Sequence, residues 1–401
     1  MPMKIIHTSD WHLGHEMYSY RRQDEFEEFF RQLRDIVADT QPDALLVSGD
    51  IYHSANPTIP TQTMYTEAIL TLHEACPGMH IIVTAGNHDS ASRLEIDRSL
   101  WRHFHVHVVG GLARTEEESW LDRHIFRIGD KGYVVAVPHV FKQNFPPGES
   151  PDEDRQTAFF KRIMQRAQEK NTEGLPIVLM AHLAVHDPRQ PHEYALAGNM
   201  EFYDVSTLGG GYDYAALGHL HRPSQVPAVS SAVRYCGSPL PISFNEEYEH
   251  SVSVVQVEHG QPAVLSIRPI RQPREVHTIP TEAVDFEKAL KVLAQWPDDD
   301  RSYIRLNVNR GNGLPVDASE QALKITEDKQ CRFCTFLVVD DRDASRNATF
   351  VDITPDEFRE LGPVEIARRF LESEGISGAE YTDLIKMMEE TIEQMQMEDA
   401  K

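Results

Sequence analysis

The sequence predicts an α/β fold in which helices cover a largely parallel β-sheet. Through the first half of the chain, short apolar runs alternate with longer segments of helical periodicity. This alternation is typical of layered α/β proteins, because each helix packs on a face of the sheet. A polar cluster follows the apolar runs, and ligands of open α/β sheets gather beyond the carboxyl ends of the strands. The polar clusters are therefore where we expect a site.

The first half of the chain supplies four predicted strands and three predicted helices. The strands are the apolar runs at residues 4–7, 43–47, 80–83 and 176–180. The first helical segment carries apolar residues from Phe26 to Val37 at i, i+3, i+4, i+7 spacing, and Pro42 stops it. Two further stripes of this kind occupy residues 64–72 and 159–167. All three segments are predicted to be amphipathic helices of the layered fold.

The second half of the chain is predicted to begin a smaller unit. Strand-like runs, such as residues 251–257, dominate after the last polar cluster. Residues 271–274 bring proline and arginine together and mark a predicted boundary. Residues 275–345 then resemble a compact α+β unit. Its predicted elements are a helix near residues 286–293 and strands at residues 303–308 and 333–339.

The C-terminal segment is predicted to be a helical hairpin. It opens with Thr354, Pro355 and Glu357, which together form a capping box with proline at the first helical position. A charged stretch at residues 340–347 precedes it and is predicted to be a linker. The apolar stripe of the hairpin can dock on its own core or on a partner. The predicted division of the chain is 1–272, 275–345 and 354–398.

Composition limits the class of protein. The formal net charge of −24 argues against a nucleic-acid partner, because duplex DNA repels an acidic surface. Bound divalent cations would reverse the local field where the acids cluster, so the objection is incomplete. Four scattered cysteines do not predict a disulfide framework. Since neither a long apolar run nor a signal peptide is apparent, we expect a cytoplasmic protein without a membrane span.

Five polar clusters carry the side chains that we expect to do chemistry. They are Asp10-Trp11-His12, Gly49-Asp50-Ile51-Tyr52-His53, Gly86-Asn87-His88-Asp89, Ala181-His182 and Gly218-His219-Leu220-His221. Carboxylate, imidazole and amide oxygen are ligands suited to manganese, iron, zinc or magnesium. No cysteine accompanies them, which argues against a structural zinc site. One histidine at a strand end is usually structural, but five clusters in this order indicate a metal site.

The order of these clusters resembles the signature of calcineurin-like metallophosphoesterases, and within them it is most similar to the SbcD nuclease family. His53 stands where protein Ser/Thr phosphatases carry a different motif after Gly49-Asp50. The opening at residues 8–14 and the segment at residues 235–244 also resemble the SbcD family. The resemblance implies a sandwich of mixed β-sheets flanked by helices, with a cap domain and a C-terminal helical hairpin.

The resemblance also implies a centre of two divalent metal ions, most simply Mn²⁺. One metal would be held by Asp10, His12, Asp50 and His221. The second would be held by Asp50, Asn87, His182 and His219, with Asp50 bridging the two. Two cations about 3.5–4 Å apart can activate a water and stabilise the leaving oxygen of an in-line displacement.

Three further residues are implied to act in catalysis. His88 would protonate the leaving group or stabilise the transition state, a role that suits an imidazole. Asp89 is expected to orient His88 through a hydrogen bond. His53 is expected to contact the phosphate, although packing at the rim of the site is the alternative interpretation of that residue.

The family resemblance implies DNA as the substrate and a coiled-coil ATPase of the SbcC type as the partner. It further implies a homodimer within a heterotetramer. The DNA would be cut at double-strand ends, hairpins and single strands, with residues 275–345 capping it. The segment 354–398 would grip the coiled coil of the ATPase.

Two other functions are compatible with the motifs. A phosphatase or cyclic-nucleotide phosphodiesterase with a small substrate would not need residues 275–401, so their presence argues against it. A non-catalytic scaffold of the same fold would be expected to lack ligands, and all seven ligand positions are filled here. His103, His105 and His107 alternate and are predicted to lie on a solvated strand face. Cys331 and Cys334 lack a second pair and are predicted to be structural.

Overall fold

The computed structural model describes residues 2–112, 118–148, 153–186, 202–227, 232–311 and 314–339, together with Tyr381 and residues 384–386. The strands in these ranges are β1 (Met3–Thr8), β2 (Ala44–Ser48), β3 (His80–Thr84), β4 (Val106–Val109), β5 (Ile125–Ile128), β6 (Gly132–Val137), β7 (Ile177–His182), β8 (Ala184–His186), β9 (Phe202–Asp204), β10 (Tyr214–Gly218), β11 (Ser224–Val226), β12 (Ala232–Tyr235), β13 (Ser251–Val257), β14 (Val264–Pro269), β15 (Val276–Val284), β16 (Tyr303–Asn309) and β17 (Arg332–Val339). The α-helices are α1 (Gln23–Thr40), α2 (Ile59–Ala75), α3 (Ala91–Leu94), α4 (Arg98–Trp101), α5 (Arg155–Lys170), α6 (Phe286–Ala294) and α7 (Ala318–Thr326).

Two six-stranded sheets form the body of the protein. The first has the strand order β14-β13-β1-β2-β3-β4, and its four N-terminal strands are parallel. The second has the order β11-β12-β10-β7-β6-β5, with β6, β7, β10 and β12 parallel. Antiparallel strands complete both sheets. The parallel strands are buried on both faces, which explains why they are continuous apolar runs in the sequence.

The two sheets pack face to face around a shared apolar core. Ile5, Leu46 and Ile82 of the first sheet belong to the same buried cluster as Val178 and Ala216 of the second. Helices α1 and α2 cover the outer face of the first sheet, and α5 covers the outer face of the second. The predicted layered α/β fold is therefore confirmed, and so are the helices expected near residues 26–37, 64–72 and 159–167.

A smaller unit of three parallel strands follows the sandwich. Its sheet has the order β15-β16-β17, and α6 and α7 pack on it around a separate buried cluster. The elements predicted between residues 275 and 345 are present in the described part of that range. The domain limits 1–272, 275–345 and 354–398 stay predictions. The predicted linker and helical hairpin lie outside the described residues, apart from Tyr381 and residues 384–386.

The small unit is joined to the sandwich through buried polar and apolar contacts. Tyr303 of β16 is buried and donates a hydrogen bond to the Glu25 carboxylate of α1 over 2.5 Å. Glu25 also accepts from the buried Arg22 guanidinium at 2.8 and 3.0 Å. Met17, Phe244 and Tyr303 share an apolar cluster beside these bonds. The joint therefore buries an ion pair whose every member has hydrogen-bond partners, as a buried charge requires.

One expectation about local structure is wrong. His103 lies in a single helical turn and His105 follows it in the left-handed region, so only His107 lies on β4. The His107 ring stacks on that of His80 from β3, and their nearest nitrogens are 3.2 Å apart. The alternation of histidines at residues 103–107 predicted a strand there, but β4 begins only at Val106. In the described part of the chain, no helix is long and apolar enough to cross a membrane.

Removing the Tyr303 hydroxyl is expected to weaken the joint between the two units. Tyr303→Phe keeps the ring but leaves the buried Glu25 carboxylate without one donor, and bonds to charged groups contribute about 1.5–3 kcal/mol. We expect the free energy of unfolding in urea to fall by about 2 kcal/mol. Tyr18→Phe is the matched control, because that half-exposed side chain packs on Phe244 without a hydroxyl partner among the described residues. Equal stability of the two variants would contradict the assignment.

Candidate metal centre

The carboxyl ends of strands from both sheets meet at one edge of the sandwich. Asp10 and His12 follow β1, Asp50 follows β2, and Asn87 follows β3. From the second sheet, His182 ends β7, while His219 and His221 follow β10. The sheets are tied together here, since Ser48 donates its hydroxyl to the carbonyl of Ala216 at 3.1 Å. The site thus lies where the order of the strands and the apposition of the sheets bring these clusters together.

Four of these side chains are held in an unusual backbone conformation. Asp10, His12, Asp50 and His219 have φ values of 52°, 46°, 50° and 102°. Residues other than glycine seldom adopt positive φ, because the Cβ approaches the backbone. Such strain persists only where surrounding structure over-determines it, and it concentrates at functional sites. These four residues therefore adopt an unfavourable backbone conformation, which turns their side chains toward one another.

Two glycines make room for the cluster. Gly49 has a φ of +87°, and a Cβ at this position would overlap the imidazole of His182. Gly86 is required for a different reason, because a Cβ there would overlap the carboxylate of Asp50. The glycine that precedes Asp50 in the sequence thus serves the close approach of a side chain from the other sheet.

Asp10, His12, Asp50 and His221 form one half of the centre. The Nε2 atoms of His12 and His221 lie 3.1 Å apart, and the Nε2 of His12 lies 3.6 Å from an oxygen of Asp50. The ligand atoms of Asp10, His12 and His221 all lie within 4.8 Å of one another. Asp10 and His12 are buried, so their polar atoms converge on the site and not on solvent.

Asn87, His182 and His219 form the other half, next to the same Asp50 carboxylate. The Asn87 side-chain oxygen lies 3.0 Å from Nε2 of His182 and 2.9 Å from Nδ1 of His219. Nε2 of His182 lies 3.4 Å from the Asp50 oxygen that also faces His12. Asp50 therefore stands between the two halves, and its other oxygen accepts the backbone N–H of His88 at 2.9 Å.

Hydrogen bonds outside the cluster fix which histidine nitrogens face inward. Nδ1 of His182 donates to the carbonyl of Ser48 at 2.8 Å, which leaves Nε2 as a lone-pair donor. Nδ1 of His221 donates to the carboxylate of Glu246 at 2.9 Å, so Nε2 is again the nitrogen that faces the cluster. Metal-binding histidines commonly carry such partners, which set the tautomer and raise the basicity of the inner nitrogen.

The pKa values reflect a crowded and buried set of charges. Burial opposes a proton on His182, but Asp50 and Asp10 outweigh it and raise its pKa to about 9. Burial and the neighbouring His182 lower the pKa of His219 to about 3. Burial would raise the pKa of Asp50, yet His182 and His12 hold it far below its usual range. Protons and cations compete for these atoms, so cation binding would release protons.

The donor atoms fit a divalent cation. Carboxylate, imidazole and amide donors converge, and no thiol belongs to the candidate groups found among the described residues. This combination suits manganese, iron, zinc or magnesium, whereas a closed structural zinc site would favour thiolates. Two clefts of about 890 and 590 Å³ open beside the cluster at Asn87, and His139 and Phe141 line both of them. The site is therefore accessible to a ligand from outside.

His53 and His88 lie beside His12 at the rim of the centre. The rings of His88 and His12 are 4.8 Å apart, and those of His88 and His53 are stacked at 5.5 Å. Nδ1 of His88 donates to the carbonyl of His53 at 2.9 Å, so Nε2 is the atom left to meet a ligand. The ligand atoms of all three histidines fall within 4.8 Å, a grouping that the sequence did not predict.

The chain is similar in sequence to known proteins. The calcineurin-like phosphoesterase family matches residues 3–223. A relative from Rhodobacter capsulatus, the SbcD subunit of the nuclease SbcCD, is 32% identical over 274 residues, covering 64% of this chain and 67% of the relative. The chain belongs to the SbcD group of calcineurin-like phosphoesterases. Relatives of the same name occur in Escherichia coli and Bacillus subtilis. They are 28% and 29% identical, covering 74% and 65% of this chain and 74% and 68% of the respective relatives.

Members of the calcineurin-like phosphoesterase family use divalent metals, and the converging side chains described above are the candidate ligands of this chain. The fold and the family expected from the motifs are confirmed. The individual ligand assignments of the seven residues remain predictions, although the structure brings all seven side chains together.

The expected role of Asp89 in this SbcD-group protein is wrong. Its carboxylate accepts backbone N–H groups from Gly86, Ile51 and Tyr52 at 2.8, 3.0 and 2.9 Å. Nδ1 of His88 is meanwhile bonded to the His53 carbonyl, so Asp89 does not orient that ring. Burial and the nearby Asp50 raise the pKa of Asp89 to about 6. Asp89 instead braces the loop after β2 against the loop after β3.

Sequence reasoning missed several residues that support the site. Glu246 orients His221, but nothing in its local sequence separates it from the other acids. His15 packs its ring on His53 at 4.7 Å and receives a hydrogen bond from the buried Arg22. His139 lies between the two clefts. The only available signal was that Glu246 closely follows the segment 235–244, which the resemblance had already singled out.

Replacement of Asp89 is expected to lower the stability of the fold, because Asp89 holds two loops together and does not act directly in catalysis. Asp89→Ala leaves three backbone N–H groups without their acceptor, and each unsatisfied group costs about 1–3 kcal/mol when buried. We expect the free energy of unfolding to fall by about 3 kcal/mol or more, measured by urea denaturation. Asp97→Ala is the matched control, since the exposed Asp97 carboxylate makes no cap hydrogen bond. If the Asp89→Ala protein is fully stable but has no turnover, the structural role is contradicted and Asp89 is a catalytic residue.

Proposed function

We propose that this chain is the nuclease subunit of an SbcCD-type complex and hydrolyses DNA phosphodiesters in a metal-dependent reaction. The observation that carries the proposal is the convergence of seven donor side chains, with Asp50 at their centre, in a chain that belongs to the SbcD group. The relatives are SbcD subunits of the nuclease SbcCD, which supports DNA as substrate and an SbcC-like ATPase as partner.

In this proposal Asp50 is shared by two metal positions. Asp10, His12 and His221 would complete one, and Asn87, His182 and His219 would complete the other. The near-equal separations of 3.6 and 3.4 Å from one Asp50 oxygen to His12 and His182 support the sharing. Bound divalent cations would offset the negative charge of the phosphodiester and activate a water for in-line attack. Mn²⁺ is the proposed metal, because the ligand set accepts it and the family resemblance favours it.

His88 is the proposed proton donor to the leaving oxygen. Its Nδ1 is committed to the His53 carbonyl, so the ring is held and Nε2 faces the site. When Nε2 also carries a proton, it can pass that proton to the oxygen of the breaking P–O bond. His53 is proposed to contact a phosphate oxygen, and the ring of His15 packed against it would keep it in place.

The wider assembly is part of the proposal. The unit that contains β15 to β17 would cap the DNA, and residues 354–398 would bind the coiled coil of the ATPase. The chain would act as a homodimer within a heterotetramer in the cytoplasm. DNA ends, hairpins and single strands would be the substrates.

Two rival functions make different demands on the chain. A scaffold without catalysis has no need of converging ligands, strained backbone at four of them and oriented histidines. A phosphatase or cyclic-nucleotide phosphodiesterase would use the same centre, and the clefts beside Asn87 are large enough for a small ester. The small-substrate enzyme would hydrolyse a small phosphate ester but would not cleave DNA.

The test is cleavage of linear duplex DNA by the purified chain with Mn²⁺ or with EDTA, beside a chromogenic phosphodiester. We expect degradation only with Mn²⁺. His88→Ala should lose at least about a hundredfold in rate, as expected when a general acid is removed, while Mn²⁺ remains bound. His103→Ala is the control, because His103 is exposed and lies away from the centre.

Each result of this experiment separates the functions. Loss of bound metal in His88→Ala would show that His88 is a ligand and overturn its role as proton donor. No bound metal in the wild type would favour the scaffold. Hydrolysis of the small ester without DNA cleavage, unchanged by an SbcC-type ATPase and ATP, would favour the small-substrate enzyme.

A further inference from the structure

A cavity of about 890 Å³ lies at the joint between the sandwich and the small unit. We call it the seam pocket. Its walls are Tyr20 and Arg274 from the sandwich side, Arg301, helix α7, and the segment that leads into β17. None of the candidate metal ligands lines it, so it is separate from the metal centre and its two clefts.

The seam pocket is basic in a protein that is acidic as a whole. Its lining includes Arg274, Arg301, Lys324, Lys329 and Arg332, against the carboxylates of Glu320 and Glu327. Lys329 is paired with Asp298, and Arg301 lies 3.4 Å from Asp24. The other three cations form no ion pair with a carboxylate among the described residues. In a chain of net charge −24, this concentration of unpaired positive charge is a local exception.

Arg274 and Arg332 both contact the same aromatic ring. Their guanidinium carbons lie 5.8 and 5.6 Å from the centre of the Tyr303 ring. Arg274 is only 8% exposed, and its Nε has no hydrogen-bond partner in the described structure. Burial, and then the charge of Arg332, lower the pKa of Arg274. Arg274 is therefore a buried cation beside a second positive charge, and an anion in the pocket would stabilise it.

Hydrogen bonds to backbone carbonyls and to a tyrosine hydroxyl fix the geometry of these two arginines. Nη1 of Arg274 donates to the carbonyls of Arg301 and Gln330 at 2.6 and 2.9 Å. Nη1 of Arg332 donates to the hydroxyl of Tyr303 at 3.0 Å. The remaining guanidinium N–H groups are thus presented from side chains that cannot swing away. Planar, pre-oriented guanidinium groups match the oxygens of a phosphate better than mobile lysines do.

We propose that the seam pocket is a phosphate-binding site, in which Arg274 and Arg332 hold the anion and Lys324 adds charge at the mouth. The proposal rests on the proposed nuclease function in one respect, which is that a nucleic-acid strand is the expected source of the phosphate. The same chemistry would bind a free polyphosphate. Arg332 reaches Tyr303, which bonds Glu25, so an anion here would be held at a fixed place relative to helix α1 of the sandwich.

The experiment measures binding of a short fluorescent single-stranded DNA to the full chain in EDTA, at several salt concentrations. EDTA prevents turnover, so the result does not depend on catalysis. Lys324→Glu should weaken binding roughly five- to tenfold at low salt and reduce the slope of log affinity against log salt by about one unit. Lys324→Ala should change both quantities in the same direction by less. Arg332→Gln, which removes the charge but keeps a polar side chain, should resemble Lys324→Glu.

Lys291→Glu is the matched control. Lys291 lies on helix α6 of the same small unit, is exposed, lines no part of the pocket and makes no ion pair among the described residues. It therefore carries the same change of charge without touching the site. Thermal melting of every variant verifies that the small unit is still folded.

A second arm measures binding of inorganic pyrophosphate by calorimetry in the same buffer. If pyrophosphate binding is lost in Lys324→Glu while DNA binding and its salt slope are unchanged, the phosphate comes from a free polyphosphate. In that case the assignment of the seam pocket as a phosphate site is supported, independently of the proposed nuclease function. If Lys324→Glu and Arg332→Gln match Lys291→Glu in both arms, the seam pocket is not a phosphate site. Mn²⁺-dependent DNA cleavage would then still support the nuclease independently.

Discussion

The buried carboxylate of Asp50 is the contact on which the rest of the site depends. One of its oxygens accepts the N–H of His88, and the other lies between His12 from the first sheet and His182 from the second. An ionised group removed from water is tolerated only when positive charge and hydrogen bonds surround it. The two sheets must therefore approach at this edge, and the loops after their strands must turn inward to supply those partners.

The local features of the centre follow from this requirement. Gly86 lacks a side chain because the Asp50 carboxylate occupies that space, and Gly49 lacks one because the His182 ring does. Asp89 receives three backbone N–H groups and so holds the loops after β2 and β3 at a constant separation. The carboxylates of Asp89 and Asp50 both lie near His88. Asp89 accepts only backbone N–H groups in these contacts, whereas Asp50 also faces the imidazoles of His12 and His182.

Sequence patterns predicted the features that depend on residues close together in the chain. They did not predict contacts between residues that are far apart in the chain. The parallel strands and amphipathic helices follow from residues adjacent in the chain, and the polar clusters follow from their position after those strands. The family resemblance then implied which seven residues of these clusters are candidate ligands. Glu246, by contrast, matters only because folding brings it to His221, 25 residues away. The prediction for His103 and His105 was wrong for a different reason. Their alternating pattern lies in a helical turn just before β4 and does not belong to the strand. The pattern also could not foresee that Tyr303 would meet Glu25.

The acidic character of the chain and its proposed work on DNA are reconciled by the distribution of charge. A net charge describes the average surface, but a bound strand experiences the field of the few groups within about a Debye length, which is about 8 Å at physiological salt. Cations at the metal centre would reverse the field around Asp50 and Asp10. At the seam pocket, Arg274, Lys324 and Arg332 provide a second positive region without any metal. An acidic surface elsewhere then disfavours nonspecific binding along the duplex, so that contact is confined to the places where the chain is positive.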